Sequence, residues 1–219
     1  MSTASTDTET PLDVTYGVED YEDQGGETLY KGFFTFEKRH YRYRRFDGQW
    51  SDTVDREVHV RPDAVGVLLY DPARDVVVLV EQIRAGVVAR LAHGESAHSP
   101  WLLEPVAGLI DRDETPEEVA RREAEEEANC KVSELIPLYR YYTSPGASCE
   151  RFYLYCALVD SAPLGGIHGL EEEHEDIRVR AFSFPEISEM MKNGLIDNAM
   201  ALISLQWLAA ERSSLRARS

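Results

Sequence analysis

The sequence is poor in cysteine: it has only three, Cys130, Cys149 and Cys156. A small, odd number of cysteines does not make the disulfide framework that is typical of small secreted proteins. The sequence also lacks any apolar run near the ~20 residues of a membrane-spanning helix, and its start lacks a basic segment followed by an apolar one. We therefore expect a soluble, cytoplasmic protein that does not bind membranes.

Positive charge is scarce as well, since 23 Lys and Arg face 40 Asp and Glu and the net charge is −17. Nucleic acids are bound through basic patches that contact their phosphates, so this balance argues against a nucleic-acid partner. An anionic small substrate would need local arginines or a metal ion. The first basic residue is Lys31. Residues 1–27, rich in Ser, Thr, Asp and Glu, are predicted to form a disordered acidic tail.

The most informative stretch runs from Gly108 to Cys130 and reads GLIDRDETPEEVARREAEEEANC. It predicts a helix with clear ends. Thr115 is a good N-cap, Pro116 suits the first helical position, and Glu118 completes a capping box with Thr115. Asn129 is a plausible left-handed C-cap. Small apolar residues form a narrow stripe that would let the helix pack closely against a neighbour: Val119, Ala120, Ala124 and Ala128.

Three carboxylates lie on adjacent sides of one turn of this helix, because Glu123, Glu126 and Glu127 are spaced i, i+3 and i+4. Such a Glu-rich helix is ordinarily a solvated face, and like charges at this spacing repel. A hard divalent cation with oxygen ligands would reverse that penalty. Mg²⁺ is the natural candidate, because it uses few protein carboxylates and leaves positions for waters and phosphate oxygens.

Around this helix, runs of β-branched and aromatic residues separated by turn residues predict strands. We expect strand-like structure over 30–46, 53–60, 65–70, 76–82, 135–142, 152–159 and 178–184. The stretch 84–99 has no clear period and is expected to be an exposed loop. Two more helices are predicted, over 185–193 and after an Asp197 cap. This alternation predicts an α/β fold, an α/β/α sandwich with a mixed sheet.

The spacing of the acidic stretch resembles the Nudix box, GX5EX7REUXEEXGU with U apolar. Every fixed position matches except the last Gly, which is Asn129 here, a residue that tolerates the left-handed conformation. Further stretches, among them VEQIR, PWLLEPVAG and SPGASCER, are similar to bacterial ADP-ribose pyrophosphatases of the Nudix superfamily. The resemblance implies the Nudix fold over residues 63–212 and a small N-terminal antiparallel β-sheet over 28–62.

The resemblance also implies a metal site and a catalytic base. Glu123 and Glu127 would be Mg²⁺ ligands with the backbone carbonyl of Ala107, and Mn²⁺ is a potential substitute. Glu126 and Glu175 are added metal-ligand candidates, and Arg122 would orient the helix carboxylates unless it forms only a surface ion pair.

Glu173 matches the glutamate that activates water. Its neighbours Glu171, Glu172 and Glu175 leave that assignment open, as does the alternative of a solvated acidic turn.

Substrate contacts carry over in the same way. Phe33 and Phe34 would contact adenine, although core packing is the ordinary role of two phenylalanines. Arg84 would bind the diphosphate, since the planar guanidinium suits phosphate oxygens. The other implied substrate-binding residues are Arg56, Glu57, Leu109, Ser144 and Glu150.

The leading hypothesis is Mg²⁺-dependent hydrolysis of ADP-ribose to AMP and ribose 5-phosphate. The alternatives are hydrolysis of another sugar nucleotide and a sensor that binds ADP-ribose without cleaving it. The box glutamates Glu123, Glu126 and Glu127 are all present, which argues against a sensor. The resemblance also implies a homodimer whose N-terminal sheets, with Phe33, Phe34 and Arg56, help to complete each partner's adenosine pocket.

Overall fold

The structure is a computed structural model that describes residues 14–111, 113–132 and 134–218. It contains two compact units, the first ending at Val60 and the second beginning at Arg61. The N-terminal unit is a three-stranded antiparallel sheet. Its strands are β1 (Tyr21–Lys31), β2 (Thr35–Tyr43) and β3 (Val54–Val60).

One sequence prediction about this unit is wrong. Residues 21–27 of the predicted acidic tail form the first part of β1, while residues 1–13 lie outside the described part of the chain. The strand-like stretch 30–46 holds the end of β1 and all of β2, and residues 32–34 form a bend between them. The acidic residues of β1 gain partners across the sheet. Asp23 pairs with Arg39 at 2.6 Å and Glu22 with Arg42 at 2.7 Å, which composition alone does not reveal.

The second unit is built on an eight-stranded mixed sheet. Its strands are β4 (Ala64–Asp71), β5 (Val76–Ile83), β6 (Trp101–Glu104), β7 (Val106–Leu109), β8 (Leu135–Tyr142), β9 (Arg151–Leu158), β10 (Gly166–His168) and β11 (Ile177–Ser183). The order is β10-β11-β5-β4-β9-β8, with β6 paired to β5 and β7 paired to β4. The β4–β9 pair is parallel and the other pairs are antiparallel.

In the described residues, four α-helices accompany this sheet: α1 (Ala85–Ala92), α2 (Pro116–Ala128), α3 (Phe184–Lys192) and α4 (Ala199–Arg216). Side chains of a strand alternate between the two faces, so each face has its own apolar core. The stripe of α2 packs against one face, on Val65, Val67 and Val80. Helices α3 and α4 cover the other face, on Leu68 and Leu79. The predicted α/β/α sandwich with a mixed sheet and a small N-terminal antiparallel sheet is confirmed.

The structure differs from the sequence prediction at two helices. Residues 85–92, expected as loop, form α1, in which no residue is buried. Helix α4 is capped by Asn198 rather than Asp197, because the Asn198 side chain accepts a hydrogen bond from the Ala201 N–H. None of the described helices is both long and apolar enough to span a membrane.

Candidate active site

Helix α2 places the acidic residues, and its ends are fixed as the sequence predicted. The Thr115 hydroxyl accepts a hydrogen bond from the Glu118 N–H, and the Glu118 carboxylate accepts one from the Thr115 N–H. Asn129 ends the helix with φ of 48°, in the left-handed region. The apolar stripe is almost fully buried. Because this stripe fixes how α2 packs, the glutamates next to it on the helix, Glu123 and Glu127, lie beside strand β7.

Gly108 in β7 explains why the helix can approach this strand so closely. A Cβ atom built on Gly108 would overlap the Glu123 side chain, with Glu123 Cγ only 2.5 Å away and the carboxylate closer still. Real Cβ atoms essentially never approach a neighbour below 3.0 Å. The absence of a side chain at position 108 thus makes the space that the Glu123 carboxylate fills.

Arg122 holds the outer carboxylates together. Its Nη1 donates to Glu123 Oε1 at 2.8 Å and to Glu126 Oε2 at 2.9 Å, while its Nε donates to Glu114 Oε1 at 3.2 Å. Burial works against the charged guanidinium, but the surrounding carboxylates outweigh it and raise the pKa of Arg122 above its ordinary value. Arg122 can therefore hold these acidic side chains in one arrangement. Glu114, the first fixed glutamate of the box, to which the sequence analysis assigned no role, belongs to this cluster.

Glu127 is the most deeply buried acid of the helix, with 2% of its surface exposed. The Ala107 N–H donates to Glu127 Oε2 at 3.0 Å, and the Gln82 side-chain amide lies 3.5 Å from Glu127 Oε1. Burial raises the pKa of Glu127 to about 8; the Ala107 hydrogen bond opposes this shift and the charge of Glu123 adds to it. Gln82 was not predicted to be part of the site.

The carboxylates of Glu123 and Glu175 interact electrostatically. Burial raises the pKa of Glu123 to about 7, although Arg122 opposes the shift, and the charges of Glu126 and Glu175 add to it. Glu175 also contributes to the raised pKa of Glu127. Its Oε2 accepts a hydrogen bond from the Leu170 N–H at 3.1 Å, which ties the carboxylate to its own loop. The structure thus brings the predicted loop residue within electrostatic reach of the helix acids.

The carboxylate oxygens of Glu123 and Glu127 fit a hard divalent cation. Within residues 14–111, 113–132 and 134–218, no group of three or more His, Cys, Asp or Glu side chains is arranged to hold a metal by itself. Mg²⁺ does not require such a cage, because it usually keeps several waters and binds one or two carboxylates together with substrate phosphates. Glu123 and Glu127 supply buried oxygen donors whose ionised forms burial disfavours. A bound cation would favour those ionised forms.

The remaining predicted residues of the second unit have varied settings. The side chain of Glu173 lies outside the described structure; its backbone belongs to the 3-10 turn Glu171–Glu173. Ser144 is exposed at the start of the turn after β8. Leu109 packs against an apolar cluster that includes Met200. Glu150 is buried, and both of its oxygens have partners: Arg61 Nε lies 3.0 Å from Oε1, and the Thr143 hydroxyl donates to Oε2 at 2.7 Å.

The predicted adenosine contacts lie in the N-terminal unit. Phe33 is 87% exposed and packs edge-to-face on Phe34, with ring centroids 4.7 Å apart. Phe34 in turn contacts the ring of His59 at 4.9 Å. Arg56 and Glu57 are exposed on β3, where Arg56 donates to the carbonyl of Asp55. The high exposure of Phe33 argues against core packing as its role within this unit.

Arg84, the predicted diphosphate ligand, follows β5 and donates through Nε to the Glu104 carboxylate. Glu104 is 7% exposed and was not predicted to be functional. A charge within the short apolar run WLLEPVAG could have drawn attention to it, because a buried carboxylate needs a partner. The positive charge of Arg84 partly opposes the rise in the pKa of Glu127, so the two residues interact electrostatically.

Comparison with known proteins agrees with this geometry. The NUDIX domain model matches residues 60–201. The chain is 43% identical to the ADP-ribose pyrophosphatase of Haemophilus influenzae over 201 residues, covering 92% of this chain and 91% of that protein. It is 43% identical to the ADP-ribose pyrophosphatase of Escherichia coli (strain K12) over 205 residues, covering 94% and 95%. It is also similar to the GDP-mannose pyrophosphatase of Enterobacter sp. (strain 638), with 38% identity over 153 residues, covering 70% and 76%. A family model that spans most of the chain, together with a helix that carries the box acids in place, shows that the chain belongs to the NUDIX domain family.

Proposed function

We propose that this protein is a Mg²⁺-dependent hydrolase that cleaves the pyrophosphate of ADP-ribose into AMP and ribose 5-phosphate. The observation that carries the proposal is the buried acidic group on α2. Glu127 and Glu123 have pKa values raised to about 8 and about 7 by burial, and Glu127 bonds the backbone of Ala107. Such a group fits a cation bound together with a diphosphate. The names of the relatives with 43% identity support ADP-ribose as the substrate.

Glu123, Glu127 and the Ala107 carbonyl would hold the Mg²⁺, with Glu126 and Glu175 as further candidates and Mn²⁺ as a substitute. Bound there, the cation would supply positive charge beside the phosphoryl oxygens. Arg122 would keep the carboxylates in place through its bonds to Glu123 and Glu126.

Glu173 would accept the proton of the attacking water, as general bases do. The new bond joins water oxygen to phosphorus, and the bond from that phosphorus to the bridging oxygen breaks. Each product then keeps one phosphate. Arg84 would bind the diphosphate, and Phe33 and Phe34 would contact the adenine.

Another sugar nucleotide is the second candidate substrate, because one relative is named a GDP-mannose pyrophosphatase. A panel of ADP-ribose, GDP-mannose and other nucleotide sugars with Mg²⁺, with products identified by chromatography, tests the proposal. We expect ADP-ribose to have the highest kcat/KM and to give AMP with ribose 5-phosphate. A higher kcat/KM for GDP-mannose than for ADP-ribose would make GDP-mannose the proposed substrate. Binding of ADP-ribose without any product would favour the sensor.

We further propose a two-fold homodimer in which the N-terminal sheet, with Phe33, Phe34 and Arg56, helps to complete the partner's adenosine pocket. The support is the sheet's exposed apolar surface: Tyr30 is 63% exposed, Phe33 87% and Phe36 42%. Apolar surface of this kind on a small sheet indicates an interaction site. One chain is 24.8 kDa, so light scattering should give about twice that mass. A fully active species with the mass of one chain would refute both the dimer and the shared pocket.

A further inference from the structure

Glu104 is a buried carboxylate to which neither the box motif nor the relatives' names assign a role. It ends strand β6 and is 7% exposed. A buried charge is costly unless a partner compensates it. Its partner is Arg84, whose Nε donates to Glu104 Oε2. The arginine side chain itself keeps 37% of its surface exposed. The pair therefore joins a buried acid to a guanidinium that still reaches solvent.

The backbone on both sides of this pair is fixed. Strands β5 and β6 pair in an antiparallel register that sets Val80 opposite Glu104 and Ile83 opposite Trp101. The Arg84 N–H donates to the Pro100 carbonyl at 2.9 Å. The Leu103 carbonyl accepts from the Asn198 side chain at 2.9 Å, which ties β6 to the start of α4. Glu104 therefore holds Arg84 from a rigid base rather than from a loop.

The bond through Nε has a geometric consequence. A guanidinium has five N–H donors in a planar fork. When Nε is bound to Glu104, the plane of the fork is set and the terminal N–H groups remain for a second partner. Arg84 has an extended backbone and lies two residues beyond Gln82, whose side-chain amide is 3.5 Å from Glu127 Oε1, so both side chains leave the chain on the side of the acidic helix. An anion near Glu127 and its bound cation would thus lie within the reach of a preset arginine fork.

We propose that Glu104 is a positioning residue that holds the guanidinium of Arg84 in the orientation that binds the diphosphate of the substrate. The inference rests on the proposed function, and it adds a residue that acts through Arg84 without touching the substrate. Fixing the fork before binding reduces the conformational entropy that binding would otherwise cost. The effect of Glu104 should therefore fall on substrate affinity more than on the chemical step.

The test measures binding by calorimetry without metal, so that no hydrolysis occurs, with ADP-ribose and with adenosine as ligands. The variants are Glu104→Gln, Arg84→Ala and the double variant. Glu81→Gln is the matched control, because Glu81 lies on β5, the strand that leads to Arg84, and pairs with Arg180 at 3.2 Å. Kinetics with Mg²⁺ give KM and kcat for each variant, and thermal melts report folding. If Glu104→Gln does not fold, Glu104→Met, which buries no polar atom at position 104, takes its place.

We expect Glu104→Gln to weaken ADP-ribose binding about tenfold, because the amide oxygen can still accept from Arg84 but the bond no longer joins two charged groups. KM should rise by a similar factor with kcat changed less. Adenosine, which has no phosphate, should bind as it does to wild type, and Glu81→Gln should bind both ligands normally. The double variant should be no weaker than Arg84→Ala, because Glu104 acts only through Arg84.

Three results would overturn the positioning role. They are unchanged ADP-ribose affinity in Glu104→Gln, additive losses in the double variant, and an equal loss of adenosine affinity, which would indicate a general collapse of the pocket. Each of them is read against a wild type that hydrolyses ADP-ribose, so the proposed function stands in those cases. A wild type that neither binds nor hydrolyses ADP-ribose would remove the proposed function, and this inference with it.

Discussion

Replacing Gly108 by alanine should inactivate the enzyme while leaving its fold intact. The added methyl would overlap the end of the Glu123 side chain, where Cγ would lie 2.5 Å from it against a practical minimum of 3.0 Å. Cγ must therefore move by at least 0.5 Å, the difference between these two distances. The carboxylate, which lies closer still, must move on the order of 1 Å, and a misplacement of that size costs about 100-fold in rate.

Stability should respond very differently. Gly108 pairs with Val65 inside β7, and it is not among the glycines with positive φ. Alanine can therefore adopt its backbone conformation, and the smaller entropy of the unfolded chain stabilises such a variant by about 0.4–1 kcal/mol. The clash is with the flexible end of one side chain, so relaxation is cheap. We expect a free energy of unfolding within about 1 kcal/mol of wild type.

The assay compares kcat/KM for ADP-ribose with the denaturation midpoint. Gly86→Ala is the matched control, because a methyl there meets no atom within 4 Å, and it should keep both activity and stability. Gly66→Ala is the opposite case. Its methyl would come 2.5 Å from Met200 Sδ and 2.8 Å from Phe152 in the core, so it should lower stability. A Gly108→Ala variant with wild-type kcat would refute the view that the position of the Glu123 carboxylate matters.

Three further predictions concern other parts of the second unit. Glu127→Gln should lower kcat at least about 100-fold with little change in KM, since a metal ligand acts mainly on the transition state; wild-type turnover in Mg²⁺ would contradict the metal site. Glu173→Gln should keep substrate affinity and lose most turnover; a crippled Glu175→Gln beside an active Glu173→Gln would move the base to Glu175. Burial opposes ionisation of Asp71, but hydrogen bonds from Ser161 and Arg74 outweigh it and lower its pKa below 3.8. The stabilisation that ionised Asp71 contributes is therefore complete above about pH 4 and is lost at lower pH. At pH 7, the free energy of unfolding of Asp71→Asn should be about 1–3 kcal/mol lower than that of wild type. Asp71→Asn should lose less stability than wild type on acidification, and equal acid sensitivity of the two proteins would refute this.

The parts of the fold that the sequence predicted correctly are those set by local chemistry. Thr115, Pro116 and Glu118 act within one turn of α2, so their spacing alone marks the start of the helix. Helix α3 was predicted over 185–193, and the structure adds a capping box of Ser183 and Glu186 at its start. Buried strands such as β4 are marked by continuous apolar runs. Local signals of this kind need no knowledge of what the element packs against.

The parts that failed depend on distant partners. Residues 21–27 read as an acidic tail because Glu22 and Asp23 meet Arg42 and Arg39 only after β1 pairs with β2. The partnership of Glu104 with Arg84 is similar, since 20 positions separate them and the β5–β6 register brings them together. Gln82 reaches Glu127 across 45 positions. Such contacts follow from the pairing of strands that are distant in the sequence, which local patterns do not reveal.

The one departure from the box, Asn129 in place of glycine, shows how a helix end can keep the acids in position without glycine. A non-glycine residue with left-handed φ costs roughly 1–2 kcal/mol, and asparagine is among the residues that tolerate it best. The backbone compensates here. The Asn129 N–H donates to the Glu125 carbonyl at 3.0 Å, and the Cys130 N–H donates to the Ala124 carbonyl at 2.9 Å. Cys130 is buried at 5% exposure and packs in the same apolar cluster as Ala124, so the chain leaves the helix into the core. Because these bonds and this packing fix the last turn, Glu127 stays anchored although the glycine is absent.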